Sequence, residues 1–419
     1  MNIEEIRQDV RTWLAANWDP NLDLIHWREL LADSGWGAPD WPSDYFGRDL
    51  DPQLSAVVDE ELAHIGAIGA AHSGVRMLAA VTLLAHADHK QKQRYLRPIL
   101  TGAEHWCQLF SEPGSGSDLA GATTRADLQG DEWIINGQKV WNTSAHHADF
   151  GLLLARSDWD EPKHKGLSYF VLDMRQPGVE VRQLKQMNGH ASFNEVFFTD
   201  ARVPRTNLIG QPGDGWQIAM TTLAYERRSF DRPRNPAAKT ASPAPIYKQY
   251  QEELEIANEP YKWYPQRAGR VDLILQRAND TGAINDPVLR QDIARLHILA
   301  SSAHWTAQRA RAAQKAGKPQ GPEGSLGKLA ASHIGRLAAQ VHTHISANDA
   351  LLTGKDSPME GTIAEILVST PAGSIAGGTD EIQRNIIAER VLGLPKEPRF
   401  DSGPFRDVRR NTSKEPKQP

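Results

Sequence analysis

Hydrophobic and polar positions follow three successive patterns along the chain, and each predicts a different kind of structure. Up to residue 102, apolar residues recur every three or four positions, as in IRQDVRTWLAANW, which is typical of amphipathic helices. From 103 to 212 the apolar runs are short, rich in β-branched and aromatic residues, and separated by Gly, Asp and Pro, which predicts strands. Helical spacing returns from 213 to 398, with alanine-rich runs suited to a bundle.

Two stretches lie outside this periodicity. Residues 231–245 carry four prolines and cannot continue a helix, so they predict a loop. Residues 399–419 are polar and proline-containing, which predicts a disordered tail. The predicted architecture is α+β, with an N-terminal helical domain (1–102), a middle β-barrel or sandwich domain (103–212) and a C-terminal four-helix bundle (213–398).

Composition limits the class of protein. The chain has 419 residues, 40% hydrophobic and 24% charged, which is ordinary for a globular enzyme of more than one core. A net charge of −5 gives no general attraction to nucleic acid or to an anionic membrane. The single cysteine, Cys107, excludes an internal disulfide and suits a reducing compartment. With no secretory signal and no apolar run of ~18 residues, the expectation is a cytoplasmic protein without a metal centre.

A loop rich in glycine and serine follows the first predicted strand and reads FSEPGSGSDL (110–119). Its small residues let backbone N–H groups converge on an anionic or electron-rich ligand, and Ser111 and Ser117 add hydroxyls. Further on, Trp141 and Thr143 close the strand WIINGQKVW. An aromatic wall beside converging donors is how a planar flavin would be held. An ordinary turn and a core tryptophan remain the alternative interpretation.

Two longer stretches carry a family resemblance. The run SEPGSGSDLAGATTRADLQGDEWIINGQKVWNTSAHHADFGLLLARS resembles the middle domain of acyl-CoA dehydrogenases. The run AGGTDEIQRNIIAERVLGLP resembles the closing helix signature of the same family. The likeness covers roughly residues 1–395. It implies a three-domain fold, FAD as cofactor, an acyl-CoA substrate and an electron-transfer flavoprotein as acceptor.

The resemblance also implies roles for individual residues. Phe110 would contact the flavin ring through its backbone and Ser111 through its hydroxyl. Trp141 and Thr143 would cover the dimethylbenzene side and reach the N5 region. The further cofactor-binding candidates, Gly116 and Ser117 along the diphosphate or pantetheine and Thr379 and Glu381 in the closing signature, follow from the same likeness.

The catalytic base requires a carboxylate that removes the α-proton of the substrate. Many relatives place it in a Glu-Gly-Thr triplet near the C-terminus, but here the glutamate position is Gly377. The resemblance still implies that the Gly377 N–H donates to the thioester oxygen. The small Ala376-Gly377 pair also leaves room for a branched or ring-bearing acyl group.

A subset of the family carries the base in a helix with the pattern Leu-x-x-Glu-Arg, and this chain reads LAYER at 223–227. Helical spacing predicts an apolar stripe with Arg227 near its middle and Glu226 at its edge, next to Ala219. The stripe consists of Trp216, Ala219, Met220, Leu223 and Ala224. A charge on a buried face is costly unless it is paired or used. Glu226 is therefore the predicted base, with Arg227 beside it, and an ordinary buried ion pair is the alternative.

Segments that lend FAD contacts across subunits in homo-oligomeric relatives are altered here. The first reads RANDT at 277–281 and lacks Phe-Gly, and the second reads ALLTG at 350–354 and lacks the glutamine and one glycine. Some actinobacterial relatives pair such a chain with a complementary one in an α2β2 assembly. The resemblance implies that this chain is the catalytic member of such a pair, acting in fatty acid or sterol catabolism.

Three competing functions remain open at this level. A flavin oxidase or monooxygenase could use the same fold. A non-catalytic structural subunit would explain the glycine at 377, although Glu226 argues against it. A ligand-binding protein without turnover would not need both flavin motifs.

Overall fold

The computed structural model describes residues 2–71, 74–229, 243–317, 321, 323–398 and 401–408. Its helices are α1 (Ile3–Asn17), α2 (Leu24–Asp33), α3 (Pro52–His64), α4 (Gly74–His86), α5 (His89–Thr101), α6 (Gly215–Ser229), α7 (Pro245–Asn258), α8 (Tyr264–Arg267), α9 (Ile274–Asp280), α10 (Pro287–Lys315), α11 (Glu323–Ser346), α12 (Thr362–Ser369) and α13 (Asp380–Arg390). Its strands are β1 (Trp106–Leu109), β2 (Arg125–Gln129), β3 (Glu132–Val140), β4 (Phe150–Arg156), β5 (Leu167–Asp173), β6 (Val179–Leu184), β7 (Phe193–Pro204) and β8 (Leu208–Ile209). The predicted α+β class is confirmed, with helices before and after a sheet.

The chain divides into two compact units. The first comprises Met1–Leu184, Ser192–Pro260 and Phe400–Pro419, and the second comprises Lys185–Ala191 and Tyr261–Arg399. None of the helices in the described ranges has the length and apolar character that crossing a bilayer requires.

Local sequence explains how the first helix begins and which face it buries. The Asn2 side chain accepts a hydrogen bond from the Glu5 N–H, and the Glu5 carboxylate accepts one from the Asn2 N–H, which forms a capping box. Ile6, Val10 and Leu14 then recur every fourth residue and are buried. The apolar spacing seen in the sequence therefore corresponds to the packed face of α1.

The eight strands form one sheet in the order β6-β7-β3-β2-β4-β5-β8, and β1 pairs with β4 in parallel. The strands β4 and β5 are almost continuously apolar because both of their faces are covered. One face joins the core shared with the helices, through Leu152, Leu154, Leu167, Tyr169 and Val171. The opposite face joins a second core, through Leu153, Ala155, Phe170 and Leu172.

The helices α6 and α7 pack with the first unit, although the sequence pattern placed everything after residue 213 in the C-terminal bundle. Ile218 and Ala219 of α6 and Ile246 of α7 are buried in the core that α1 to α5 form with the sheet. Glu253 of α7 is also held by the guanidinium groups of Arg28, at 2.7 Å, and Arg76, at 2.6 Å. Apolar burial and this ion cluster attach both helices to the first unit.

The second unit is arranged around α11, which packs against α9, α10, α12 and α13. Its core contains Ile274, Ala278, Leu296, Ala338, Val341 and Ile345. At one close approach a Cβ on Gly269 would lie 2.7 Å from the Ala338 Cβ and 3.0 Å from the Gly335 Cα, so the packing requires glycine there. Asp380, which is 2% exposed, accepts from Ser332 and pairs with Lys328 and Arg336, and so ties α13 to α11.

The prediction of a disordered tail from residue 399 is wrong for residues 401–408. Phe405 is 1% exposed, and the guanidinium carbon of Arg156 lies 3.4 Å from its ring centroid. The Phe405 N–H donates to the Glu161 carbonyl at 3.0 Å and the Arg406 N–H to the Trp159 carbonyl at 3.0 Å. One buried aromatic residue therefore outweighs the polar, proline-containing composition that suggested disorder. The rest of the predicted tail lies outside the described residues.

Candidate functional site

The segment after β1 lies directly beside the end of β3. The Val140 N–H donates to the Ser111 carbonyl at 2.9 Å, and the Asn142 side-chain amide donates to the Gln108 carbonyl at 2.7 Å. Phe110 is buried at 4% exposure, and Ser111 is partly exposed. Within the first unit, the structure thus brings together the two predicted flavin-facing segments, 110–111 and 141–143.

A buried ion pair fixes this junction. The Lys139 Nζ donates to the Glu112 carboxylate at 2.8 Å and to the Phe110 carbonyl at 2.9 Å, and the Lys139 side chain is fully buried. The second Glu112 oxygen accepts from the Thr123 N–H at 2.7 Å. Burial alone would raise the pKa of Glu112, but Lys139 and these hydrogen bonds outweigh it and hold the pKa at about 2. The Glu112 carboxylate, near the start of the glycine- and serine-rich loop, therefore connects the loop to Lys139 of β3 and to Thr123, which follows the loop.

The loop between those anchors presents small residues to the surface. The backbones of Glu112 and Ser115 exchange two hydrogen bonds, at 2.9 and 3.0 Å. Gly116 and Ser117 are both exposed, and a Cβ on Gly116 would meet no atom within 4 Å. Packing within the described chain does not require a glycine at 116. An open, small-residue surface is what close approach of a ligand phosphate would need.

Trp141 combines exposure with an unusual backbone conformation. Its side chain is 59% exposed, and its φ of 64° lies in the left-handed region that large residues rarely adopt. The Phe193 ring packs edge-on against it, with centroids 5.9 Å apart. The alternative interpretation of Trp141 as a core residue is therefore wrong. An exposed aromatic residue in a strained position is typical of a ligand-contacting site.

Glu226 lies in the last two turns of α6 and is partly buried. The buried face of α6 shares Ala219 with the predicted stripe but is rotated from it, because its other fully buried residues are Ile218 and Thr222. The predicted stripe included Ala219 but not Thr222, because a threonine does not count as apolar. Thr222 precedes Glu226 by one helical turn, so Glu226 continues the buried line and does not lie at its edge. The side chain of Arg227 lies outside what the structure describes.

In the second unit, the Ala376-Gly377-Gly378 turn is held by a glutamine. The Gln383 side-chain amide donates to the Gly377 and Gly378 carbonyls, both at 3.2 Å. Gly377 has a φ of 70°, which favours glycine, and is exposed. In the described part of the chain, no acceptor is seen for its N–H. The prediction that this N–H binds a thioester oxygen stays a prediction.

The two remaining cofactor candidates serve α13. The Thr379 hydroxyl caps the helix by accepting from the Ile382 N–H at 3.3 Å. Glu381 is exposed in the first turn, 3.4 Å from Arg384. These contacts give both residues a structural role, and their contact with a cofactor stays a prediction.

The first of the two altered inter-subunit segments, 277–281, is also engaged within the second unit. Arg277 is 9% exposed; it donates to the Ser346 hydroxyl at 3.0 Å and to the Asp349 carboxylate at 2.8 Å. The guanidinium at the start of the first altered segment is therefore committed to its own chain.

Three family models match this arrangement in order. They are the acyl-CoA dehydrogenase N-terminal domain over residues 3–103, the middle domain over 107–201 and the C-terminal domain over 268–392. The chain belongs to the acyl-CoA dehydrogenase family of oxidoreductases, whose members are flavoproteins. The segment between the second and third models, which contains Glu226, is not covered by any of the three.

Individual relatives agree with that assignment. The chain is 33% identical to the acyl-CoA dehydrogenase IpdE1 of Mycobacterium tuberculosis, over 94% of this chain and 99% of that protein. It is 35% identical to the acyl-CoA dehydrogenase FadE34 of the same organism, over 87% of this chain and 46% of that protein. Among solved structures, a Tcur3481-Tcur3483 steroid ACAD has a TM-score of 0.65 at 21% identity, covering 94% of this chain and 98% of that one. The ChsE4-ChsE5 complex from Mycobacterium tuberculosis has a TM-score of 0.63 at 22% identity, covering 94% and 98%.

Sequence reasoning missed Glu112 and Lys139 as organisers of the loop. The available signal was weak: Lys139 shares its strand with Trp133 and Ile135, and a lysine among buried residues is costly unless it is paired.

Proposed function

We propose that this chain is an FAD-dependent dehydrogenase that introduces an α,β double bond into an acyl-CoA thioester, with Glu226 as the base. The observation that carries the proposal is the position of Glu226, one turn beyond the buried Thr222 on the same face of α6. A carboxylate partly withdrawn from water is suited to removing a weakly acidic α-proton.

The flavin-facing surface is supported by the residues of the first unit. The exposed, strained Trp141 and the open loop at Gly116 and Ser117 fit an aromatic ring system linked to a diphosphate. Ser111 and Thr143 would add hydroxyl donors beside the ring. FAD, when bound, supplies the acceptor for the hydride that leaves the β-carbon. The residues of this chain hold the ring and remove the proton.

Anaerobic mixing with acyl-CoA thioesters would test the base. We expect Glu226→Gln to slow flavin reduction by about 10²–10⁴-fold, because a carboxamide cannot accept the proton. The probes are straight-chain, branched and ring-bearing thioesters, which also rank the acyl groups that the chain accepts. The matched control is Glu255→Gln, an exposed glutamate on α7. FAD content and thioester binding should stay unchanged in both variants, and reduction of Glu226→Gln at nearly the wild-type rate would refute the assignment.

The electron acceptor distinguishes this proposal from an oxidase or monooxygenase. We propose an electron-transfer flavoprotein as acceptor, so the reduced enzyme with product bound should reoxidise slowly in air. Rapid reoxidation in a stopped-flow experiment would favour the oxidase interpretation instead.

We also propose that the chain pairs with a second, complementary acyl-CoA dehydrogenase-like chain. The missing Phe-Gly and glutamine, and the commitment of Arg277 to Ser346 and Asp349, support this assembly. Two structural neighbours are described as two-component proteins, a steroid ACAD and the ChsE4-ChsE5 complex. A non-catalytic subunit is the second candidate function, favoured by the glycine at 377, and the Glu226→Gln experiment also tests it.

A further inference from the structure

Three hydroxyl groups meet in the core of the first unit, one turn upstream of Glu226. They belong to Thr222 of α6, Thr82 of α4 and Tyr169 of β5, and each residue is 0% exposed. The Thr82 and Thr222 hydroxyl oxygens are 2.8 Å apart, and the Tyr169 hydroxyl lies 3.1 Å from the Thr222 hydroxyl. We call this set the hydroxyl cluster. It joins two helices and a strand at one point.

The cluster can satisfy every hydroxyl proton if the bonds run in one direction. Tyr169 donates to Thr222, Thr222 donates to Thr82, and Thr82 donates to the Leu78 carbonyl at 2.7 Å. Burial raises the pKa of Tyr169, so its phenol stays protonated and remains a donor. The Thr222 hydroxyl also lies 3.2 Å from the Ile218 carbonyl, a second acceptor within α6. Removing the Thr222 hydroxyl would therefore take away the partner that the buried Tyr169 and Thr82 hydroxyls share, which is costly.

Thr222 is the last fully buried side chain of α6 before Glu226. Leu223, Tyr225 and Glu226 are partly buried, and Ala224 is exposed. Beyond the helix the chain enters residues 230–242, which lie outside the described ranges. Thr222 is the fully buried residue of this turn and joins α6 to both α4 and β5. Leu223 and Tyr225 pack against the same core, and the Thr221 hydroxyl lies 2.8 Å from the His86 ring of α4.

We propose that Thr222, Thr82 and Tyr169 are positioning residues for the base: they fix the rotation of α6 and so the direction of the Glu226 carboxylate. The inference rests on the proposed function. Apolar packing by Ile218 and Ala219 holds the helix against the core but lets it slide or turn, whereas directional hydrogen bonds define one rotation. Proton abstraction is sensitive to such a change, because a shift of about 1 Å in a reacting group can cost 10²-fold.

Two substitutions at one position separate positioning from packing. Thr222→Val keeps the side-chain shape and removes the hydroxyl, whereas Thr222→Ser keeps the hydroxyl and removes a methyl group. If the hydroxyl positions the base, Thr222→Val should lower the limiting rate of anaerobic flavin reduction about 10-fold, and Thr222→Ser should stay within about 3-fold of wild type. The affinity for the thioester should change little in either variant. If packing alone mattered, Val would retain at least the rate of Ser, and that order would overturn the proposal.

Matched controls remove the same chemical groups elsewhere. Thr343→Val on α11 deletes a helical threonine hydroxyl that donates to the Ala339 carbonyl at 2.9 Å. Tyr95→Phe deletes a buried phenol at 5% exposure and is compared with Tyr169→Phe. We expect the two control variants to keep the wild-type rate. A control that slowed reduction as much as its counterpart in the cluster would also overturn the proposal.

Hydrogen exchange gives a readout that does not depend on turnover. In Thr222→Val and Tyr169→Phe, the backbone amides of residues 223–226 should exchange faster than in wild type and in Tyr95→Phe. Unchanged exchange would count against the cluster as the anchor. Glu226→Gln separates the hypothesis about the base from the hypothesis about its positioning. If Glu226→Gln is inactive and Thr222→Val is fully active, the positioning role alone is refuted. If Glu226→Gln is active, the assignment of the base is refuted.

Discussion

Replacing Lys139 with methionine should strongly destabilise the first unit. Methionine fills a similar volume, so the main change is the loss of the positive charge beside Glu112, which is 7% exposed. Removing one partner of a buried pair typically costs about 3–5 kcal/mol. The Glu112 carboxylate would keep its bonds from Thr123 and Thr124, at 2.7 to 2.9 Å, so we expect about 3 kcal/mol, the lower end of that range.

The pKa of Glu112 gives a similar magnitude and a direction with pH. The gap between the ordinary 4.5 and about 2 in the folded chain corresponds to about 3 kcal/mol. Because the folded pKa is the lower one, this stabilisation is complete above pH 4.5 and is lost as the pH falls toward 2. Burial lowers the pKa of Lys139, which shows that holding the lysine charged in the core costs free energy. The value of about 3 kcal/mol therefore describes the stabilisation of the ionised Glu112 alone, and not the net effect of burying both charges.

Urea denaturation at pH 7 and pH 4 would measure both effects. The gap between wild type and Lys139→Met should narrow at pH 4, because the unpaired Glu112 becomes protonated. Arg182→Met is the control: it breaks the Arg182–Glu180 pair, whose side chains are 58% and 61% exposed, and should change the free energy of unfolding little, because water screens an exposed pair. A loss of stability in Lys139→Met no larger than in the control, or a gap independent of pH, would refute the reasoning.

The other predictions concern the flavin, the C-terminal segment and assembly. Trp141→Ala should weaken FAD retention or shift the flavin absorbance spectrum, and an unchanged spectrum with unchanged affinity would remove Trp141 from the flavin site. Phe405→Ala should lower the free energy of unfolding by about 3–5 kcal/mol, whereas the half-buried Phe197→Ala should cost less in the same urea titration. Purified alone, the chain should contain less than one FAD per chain, and co-expression with its genomic neighbour should restore the flavin-to-protein ratio. A homo-oligomer with one FAD per chain and full turnover would contradict the two-chain assembly.

The order of helices, strands and helices could be predicted because periodicity reports which faces are buried. Two patterns were sufficient to predict the element types: the continuous apolar runs of β4 and β5, and the four-residue spacing of Ile6, Val10 and Leu14 in α1. The attachment of α6 and α7 to the first unit could not be predicted in this way. It depends on long-range partners, such as Glu253 with Arg28 and Arg76, which no local pattern reveals.

Parts of the candidate site could be predicted from the sequence where the residue type itself indicates a role. Trp141 and the small residues around Gly116 were proposed from their residue types together with the family resemblance, and their contact with a flavin stays a prediction. The supports of the site were not, because their meaning depends on pairing. Lys139 is buried beside Glu112, which neutralises it, and Thr222 is buried beside two other hydroxyls that share hydrogen bonds with it. A hydrophobicity pattern assigns both residues to the surface.

The packing of residues 401–408 against the segment that follows β4 has a consequence for biosynthesis. Residues 261–399 of the second unit lie between two segments of the first, so Arg156 and Trp159 leave the ribosome long before Phe405 can reach them. Until then, the surface that Phe405 covers stays open to water and to other chains. We therefore expect the nascent first unit to mature in two stages, with a late step that begins only after the whole second unit has been translated.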